Sequence, residues 1–242
     1  MSLRLYGQYC PIARTSEILG DRWTPLILRE LSLGVTGFNA IARGLPGISR
    51  AILADRLKAL ERAGLSRREE GPRLQDVSYT LTPAGSDFTS VLDAMAAWGF
   101  RWAFGEPRAE ELDPWLLLWW LRRCSRPERV PRDGVSLQFD FTGDCPVSYW
   151  LLMEAIEVTA CLRPPRPESD LVIRADVAAL YKLLMGQLSM RRALEEGLLA
   201  AEGSRRLVKG FLEDWFQWDY YYTYLPPTPG LTFPALEAAT TE

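Results

Sequence analysis

"GISRAILADRLKALERAGLSRREE" occupies Gly47 to Glu70, and its reading decides the fold of the first half of the chain. Leu53, Leu57 and Leu60 recur at helical spacing and form one apolar stripe. Ser49 stands where a side-chain oxygen caps a first turn, and Gly64 stands where a helix stops. The face away from the leucines carries Arg50, Ala51, Ala54, Lys58 and Arg62. Then the period changes: "LSRREE" and "VSYTLT" read as strands, joined by the turn-rich "GPRLQD". A helix with one packed face and one basic face, followed by a hairpin, has the shape and charge to enter a nucleic-acid groove.

The charge distribution supports that reading. The 242-residue chain has a net charge of -3, with 28 basic and 31 acidic residues. Between Arg43 and Arg73, however, there are 8 basic and 4 acidic residues, a local +4. Residues 1–105 sum to +3 and residues 106–242 to -6. An electrostatic partner feels the patch rather than the total.

Upstream lie three short helical segments: "PIARTSEIL", "TPLILRELSLG" with Thr24 as cap and Pro25 at the first helical position, and "GFNAIARGL". Downstream, "TPAGSDFTSVLDAMAAWGFRWA" returns to helix, with Phe88, Leu92, Met95 and Trp98 or Gly99 along one side. Helices, then the basic helix, then a two-stranded hairpin, is the order of a winged helix-turn-helix. The third helix would read the major groove. Ser49 would orient its first amides, and Arg50 is the forked side chain nearest the helix start and so the best base-edge candidate. Ala51 and Ala54 would permit close approach. Arg56 and Lys58 would meet phosphates, with Arg56 alternatively pairing with Glu61 or Glu30. Arg67, Arg68 and Arg73 on the hairpin would lie along the backbone or a minor groove.

These features resemble the HxlR family of bacterial winged-helix transcriptional regulators over roughly residues 6–104. The resemblance rests on "YCPIARTSEILGDRWTPLILREL", "GFNAIARGLPGISRAILADRLKALERAGL", "RREEGP" and "VSYTLTPAG", in that order. It implies a homodimer joined through the N-terminal segment and the helix after the wing, bound to a pseudo-palindromic operator. It also implies a second role for Cys10, because some members sense oxidants or electrophiles with a cysteine in this neighbourhood. Arg14, one turn on, would supply the positive charge such a thiol needs.

The second half reads differently. "VSLQFDFTG" alternates apolar Val135, Leu137, Phe139 and Phe141 with Ser136, Gln138, Asp140 and Thr142. "PVSYWLLMEAIEVTACL" holds two more strands, "DLVIRA" another and "LLAAEG" a short one. "WLLLWWL", "DVAALYKLLMG", "SMRRALEEG" and "SRRLVKGFLEDWF" read as helices. This order resembles the sterol carrier protein family over about residues 112–218. The resemblance implies an apolar tunnel and a hydrophobic small-molecule effector, with no tunnel residue fixed by a motif. The aromatic stretch from Asp214, "DWFQWDYYYTYLPPTP", reads as a strap.

The expected fold class is therefore α+β. A winged helix-turn-helix over residues 1–105 precedes a sterol-carrier-like α+β domain with a mostly antiparallel sheet over 110–225. A Pro-rich tail covers 226–242. The expected function is a homodimeric regulator bound to double-stranded operator DNA, with a second domain that binds a hydrophobic small-molecule effector or aids assembly. The alternative is a thiol switch at Cys10 with the second domain only a scaffold. With no histidine, Ser-His-Asp and Cys-His systems and His-ligated metals are excluded, while carboxylate, Lys or Tyr catalysis stays formally open. No catalytic constellation emerges, so the expectation is not an enzyme, with no cofactor and no metal. The cysteines, Cys10, Cys124, Cys145 and Cys161, have no CxxC spacing, and the last three read as core residues. No apolar run is long enough to span a bilayer and no secretory leader is evident, so the expected location is cytoplasmic, with no membrane partner.

Overall fold

A computed structural model describes residues 6–71, 77–143 and 146–218. Arg73, Cys145, the Pro-rich tail and most of the aromatic strap lie outside the described residues. The chain divides between Ala96 and Ala97 into two compact units, earlier than the expected boundary at 105 and inside a helix.

The first unit runs α1 (Pro11–Leu19), α2 (Thr24–Ser32), α3 (Phe38–Arg43), α4 (Arg50–Arg62), β1 (Ser66–Glu70), β2 (Val77–Leu81), α5 (Pro83–Asp87) and the start of α6 (Thr89–Trp102). Its core is Ile27, Leu28 and Leu31 of α2, Ile41 of α3, and Leu53, Leu57 and Leu60 of α4, with Leu45 and Leu65 closing the ends. Each fully buried leucine contributes about 2 kcal/mol by leaving water. The α4 stripe is therefore what holds the basic helix in place. The helix ends where Gly64 turns left-handed at φ +72°, and Leu65 N–H donates back to Leu60 O at 2.9 Å.

Two boundaries differ from the sequence reading. Thr24 lies inside α2 and is buried; Trp23 takes the cap position without a side-chain cap. The expected long helix after the hairpin is two helices. Thr82 caps α5 by accepting from Gly85 N–H at 3.2 Å, and Phe88 breaks the run before α6, packing with Leu92 against the core. Met95 and Trp98, expected on the same side as Phe88, are instead exposed.

The wing is an antiparallel β1–β2 pair, Arg68 opposite Tyr79. Tyr79 N–H donates to Thr36 O at 2.8 Å, and Ser78 bridges Gly37, so the hairpin is tied to the turn before α3. Thr82 secures its far end, donating its hydroxyl to Gly64 O at 2.6 Å while its N–H donates to Leu65 O at 3.0 Å.

The second unit continues through α7 (Pro114–Cys124), β3 (Val135–Thr142), β4 (Val147–Met153), β5 (Val158–Cys161), β6 (Leu171–Asp176), α8 (Val177–Leu184), α9 (Met190–Glu195), β7 (Leu199–Gly203) and α10 (Arg205–Lys209). A five-stranded sheet has the order β5-β4-β3-β6-β7. Its pairings are antiparallel except for β3 with β6. Asp170 fixes the parallel entry: its N–H donates to Ser136 O at 2.9 Å and its carboxylate accepts Ser136 N–H at 2.8 Å.

The alternation read in β3 holds. Val135, Leu137, Phe139 and Phe141 are buried among α7, α8 and the turn after α10. On the other face, Asp140 accepts from Gln138 at 2.8 Å and from Ser148 at 2.6 Å. α7 is the apolar "WLLLWWL" helix, capped by Asp113 and buried at Leu117, Leu118, Trp119 and Leu121. Among the described residues, no helix is long and apolar enough to cross a membrane. The last expected helix shortens: α10 gives way to a wider π turn over Gly210–Asp214. A Cβ at Gly210 would lie 2.4 Å from the Trp215 ring, so only glycine allows the indole to settle there. Between sheet and helices the space is occupied by Phe139, Phe211 and Phe216, all fully buried.

Candidate nucleic-acid interface

The start of α4 is presented to solvent. Ser49 caps it, its hydroxyl accepting Ile52 N–H at 3.2 Å. Ser49, Arg50, Ala51 and Lys58 are exposed, and Ala54 is half-buried. The leucine stripe beneath is closed within the core of the unit.

Arg50 does not hang loose. Its guanidinium donates to Asn39 Oδ1 at 2.9 Å and lies 5.0 Å from the Phe38 ring centroid. A preorganised fork loses less entropy when it meets a base. Asn39 and Phe38 were not legible as its supports, since they lie on another helix. Ile52 was also missed. It is 41% exposed beside Ala51, an apolar side chain off the leucine stripe. Its place outside the three-four repeat was the available signal. Thymine methyl groups are the natural partners of such a side chain.

Arg56 belongs to the inside of the unit. Its guanidinium pairs with Asp21, and its side chain is 14% exposed. Buried Glu30 pairs with Arg29 at 2.8 Å. The Arg56–Asp21 pair braces α4 against the turn before α2. Lys58 is the exposed cation of the middle of the helix and, among the described residues, has no ion pair.

The wing arginines are exposed but engaged. Arg67 Nε lies 2.8 Å from Glu69 and donates to Thr80 Oγ1 at 3.0 Å. Arg68 donates to Glu70 at 2.5 Å, a bond that raises its pKa further. The two pairs follow from alternation: in "SRREE", residues two apart share a face.

Cys10 is half-buried at the cap position of α1. The Arg14 guanidinium, expected near the thiol, lies 3.4 Å from Glu17. Cys124 is buried and its thiol is pushed up to about 12 by that burial; burial also raises Cys161. Both thiols stay protonated at neutral pH and poor as nucleophiles.

Comparisons with known proteins meet this unit. The family pattern described as HxlR-like helix-turn-helix matches residues 18–106. The HTH-type transcriptional regulator sll1512 of Synechocystis is 36% identical over 97 residues, covering 40% of this chain and 72% of that protein. YvaP of Bacillus subtilis is 32% identical, covering 40% of this chain and 91% of its own length. YodB of the same organism is 37% identical, covering 40% and 88%. The structure of reduced YodB superposes with a TM-score of 0.35 and 34% identity, covering 39% of this chain and 95% of that one. Through its first hundred or so residues, the chain belongs to the HxlR-like helix-turn-helix family of transcriptional regulators.

Proposed function

We propose that the chain binds double-stranded operator DNA as a homodimer, with α4 in the major groove and the wing along the backbone. The observation that carries this is the start of α4. A capped first turn offers Ser49, a braced Arg50, Ala51 and Ile52 to solvent, on a helix whose other face is locked in the core. Arg50 reads a base edge, Ala51 and Ile52 meet methyl groups, Ser49 orients amides toward a phosphate, and Ala54 allows close approach.

The homodimer is supported by α6. Val91, Met95, Trp98 and Trp102 recur at spacings of four, three and four and are exposed, with Trp98 at 63% and Trp102 at 66%. Tyr9 and Ile12 at the N-terminal end are exposed as well. A continuous stripe of large apolar side chains on one helix marks a protein contact. The second unit serves as an effector or assembly module. An apolar effector in its interior would have to displace Phe211 or Phe216, which fill that space.

The test is selection of bound duplexes from a random pool, followed by affinity measurements on the selected sequence. Arg50→Ala should weaken binding by about 1–3 kcal/mol and flatten preference at one base pair. An unchanged sequence profile would remove Arg50 from the reading set.

Arg56 and Lys58 separate by salt. Lys58→Gln should reduce the slope of log affinity against log salt by about 1, as one phosphate contact is lost. Arg56→Gln should leave that slope unchanged and lower thermal stability, since Asp21 loses its partner. A slope change in Arg56→Gln equal to that in Lys58→Gln would show that the Asp21 pair opens on DNA.

A further inference from the structure

In the second unit a concavity of about 340 Å³ opens between two segments distant in sequence. Arg129 and Arg132 come from the loop after α7, and Arg206 from α10; Asp214 and Trp215 are also part of the lining. We propose that this groove holds a small, multiply charged oxyanion, of the phosphate or carboxylate type.

The groove is built rather than incidental. Arg126 N–H donates to Trp215 O at 2.7 Å, Gln217 N–H donates to Cys124 O at 2.7 Å, and Ser125 bridges Phe216. These bonds lock the two arginine-bearing segments side by side. Trp215 is only 3% exposed, held against the bare Cα of Gly210, so the floor is fixed. Val130 is buried and pins the loop between Arg129 and Arg132.

The charge is the second argument. Arg166, Arg174 and Arg191 of the same unit each face a carboxylate, and Arg108 faces two. Among the described residues, no ion pair involves Arg129, Arg132 or Arg206, although this part of the chain is acidic. Three guanidinium groups against the single carboxylate of Asp214 leave a surplus of two positive charges, the complement of a dianion. Guanidinium forks match carboxylate and phosphate oxygens in pairs. The volume is at the small end for ligand sites, which favours a compact anion over a lipid.

The experiment is calorimetric titration of the full chain with pyrophosphate and with citrate, at ionic strength held constant with sodium chloride. The expected result is saturable binding to the wild type, weakened at least tenfold in Arg132→Gln/Arg206→Gln and unchanged in Arg191→Gln. The stronger of the two probes identifies the class. Circular dichroism establishes that the variants are folded; these arginines are exposed and their loss leaves the core intact. Absence of saturable binding to the wild type at millimolar probe, or equal affinity in the double variant, overturns the proposal. A random-sequence duplex is titrated in parallel. If the double variant loses duplex affinity while the wild type ignores both small anions, the groove is a DNA-backbone contact and the small-anion proposal falls.

Discussion

Gly85→Ala is expected to destabilise the first unit by about 3 kcal/mol, the upper part of the range for overpacking a closed site. A Cβ at this position would lie 2.0 Å from the backbone oxygen of Leu65 and 3.0 Å from its carbonyl carbon. Backbone cannot swing aside as a side-chain tip can. The oxygen is also committed, since it accepts the Thr82 N–H at 3.0 Å. Relief would therefore require the end of β2 and the start of α5 to part from the residue that follows α4. The damage falls where α4 meets the wing. Thermal denaturation followed by circular dichroism should show the transition of this unit falling on the order of 10 °C. Gly99→Ala supplies the contrast. It lies in α6, and a methyl group there would meet nothing within 4 Å, so removing a helical glycine should stabilise by up to about 1 kcal/mol. Equal melting temperatures for Gly85→Ala and the wild type would show that the Leu65 carbonyl yields without cost.

The second large effect is expected at Trp98. Trp98→Glu places a charge in the middle of the α6 stripe. If that stripe is the dimer contact, burying the carboxylate without a partner costs several kcal/mol, and the dimer should dissociate. Light scattering behind size exclusion should then give the mass of one chain. Operator affinity should fall at least about 100-fold, because each half-site is held alone and the avidity of the pair is lost. The helix itself should survive, as Trp98 is exposed and Ala97 is the buried residue of α6. A Trp98→Glu protein that still runs at twice the chain mass would move the dimer contact elsewhere.

Much of this was legible in the residues. The stripe of Leu53, Leu57 and Leu60, with Ser49 before it and Gly64 after it, sufficed for α4, because the helix is amphipathic and locally capped. The alternation in "VSLQFDFTG" sufficed for β3. What could not be read depends on contacts between segments far apart in sequence. Asp21 claims Arg56 from 35 positions away. Asn39 steadies Arg50 from another helix. The break at Phe88 follows from its pull into the core beside Leu92, which overrides a sequence able to continue as helix. The groove joins Arg132 to Arg206 only after the sheet has formed. The pairs in the wing were a different matter: "SRREE" spells them out, each arginine standing two places before its glutamate.

Those wing pairs bear on how the molecule finds its target. A free cation draws DNA from a distance of roughly a Debye length, whereas a cation held by its own carboxylate presents a dipole, whose field fades much faster. On the proposed binding mode, Arg67 and Arg68 would add little to the capture radius, and long-range attraction would fall to the start of α4 and to Lys58. The wing would then engage only at contact, when phosphate oxygens take the place of Glu69 and Glu70. Partner exchange of this kind would make the hairpin a determinant of residence time rather than of arrival.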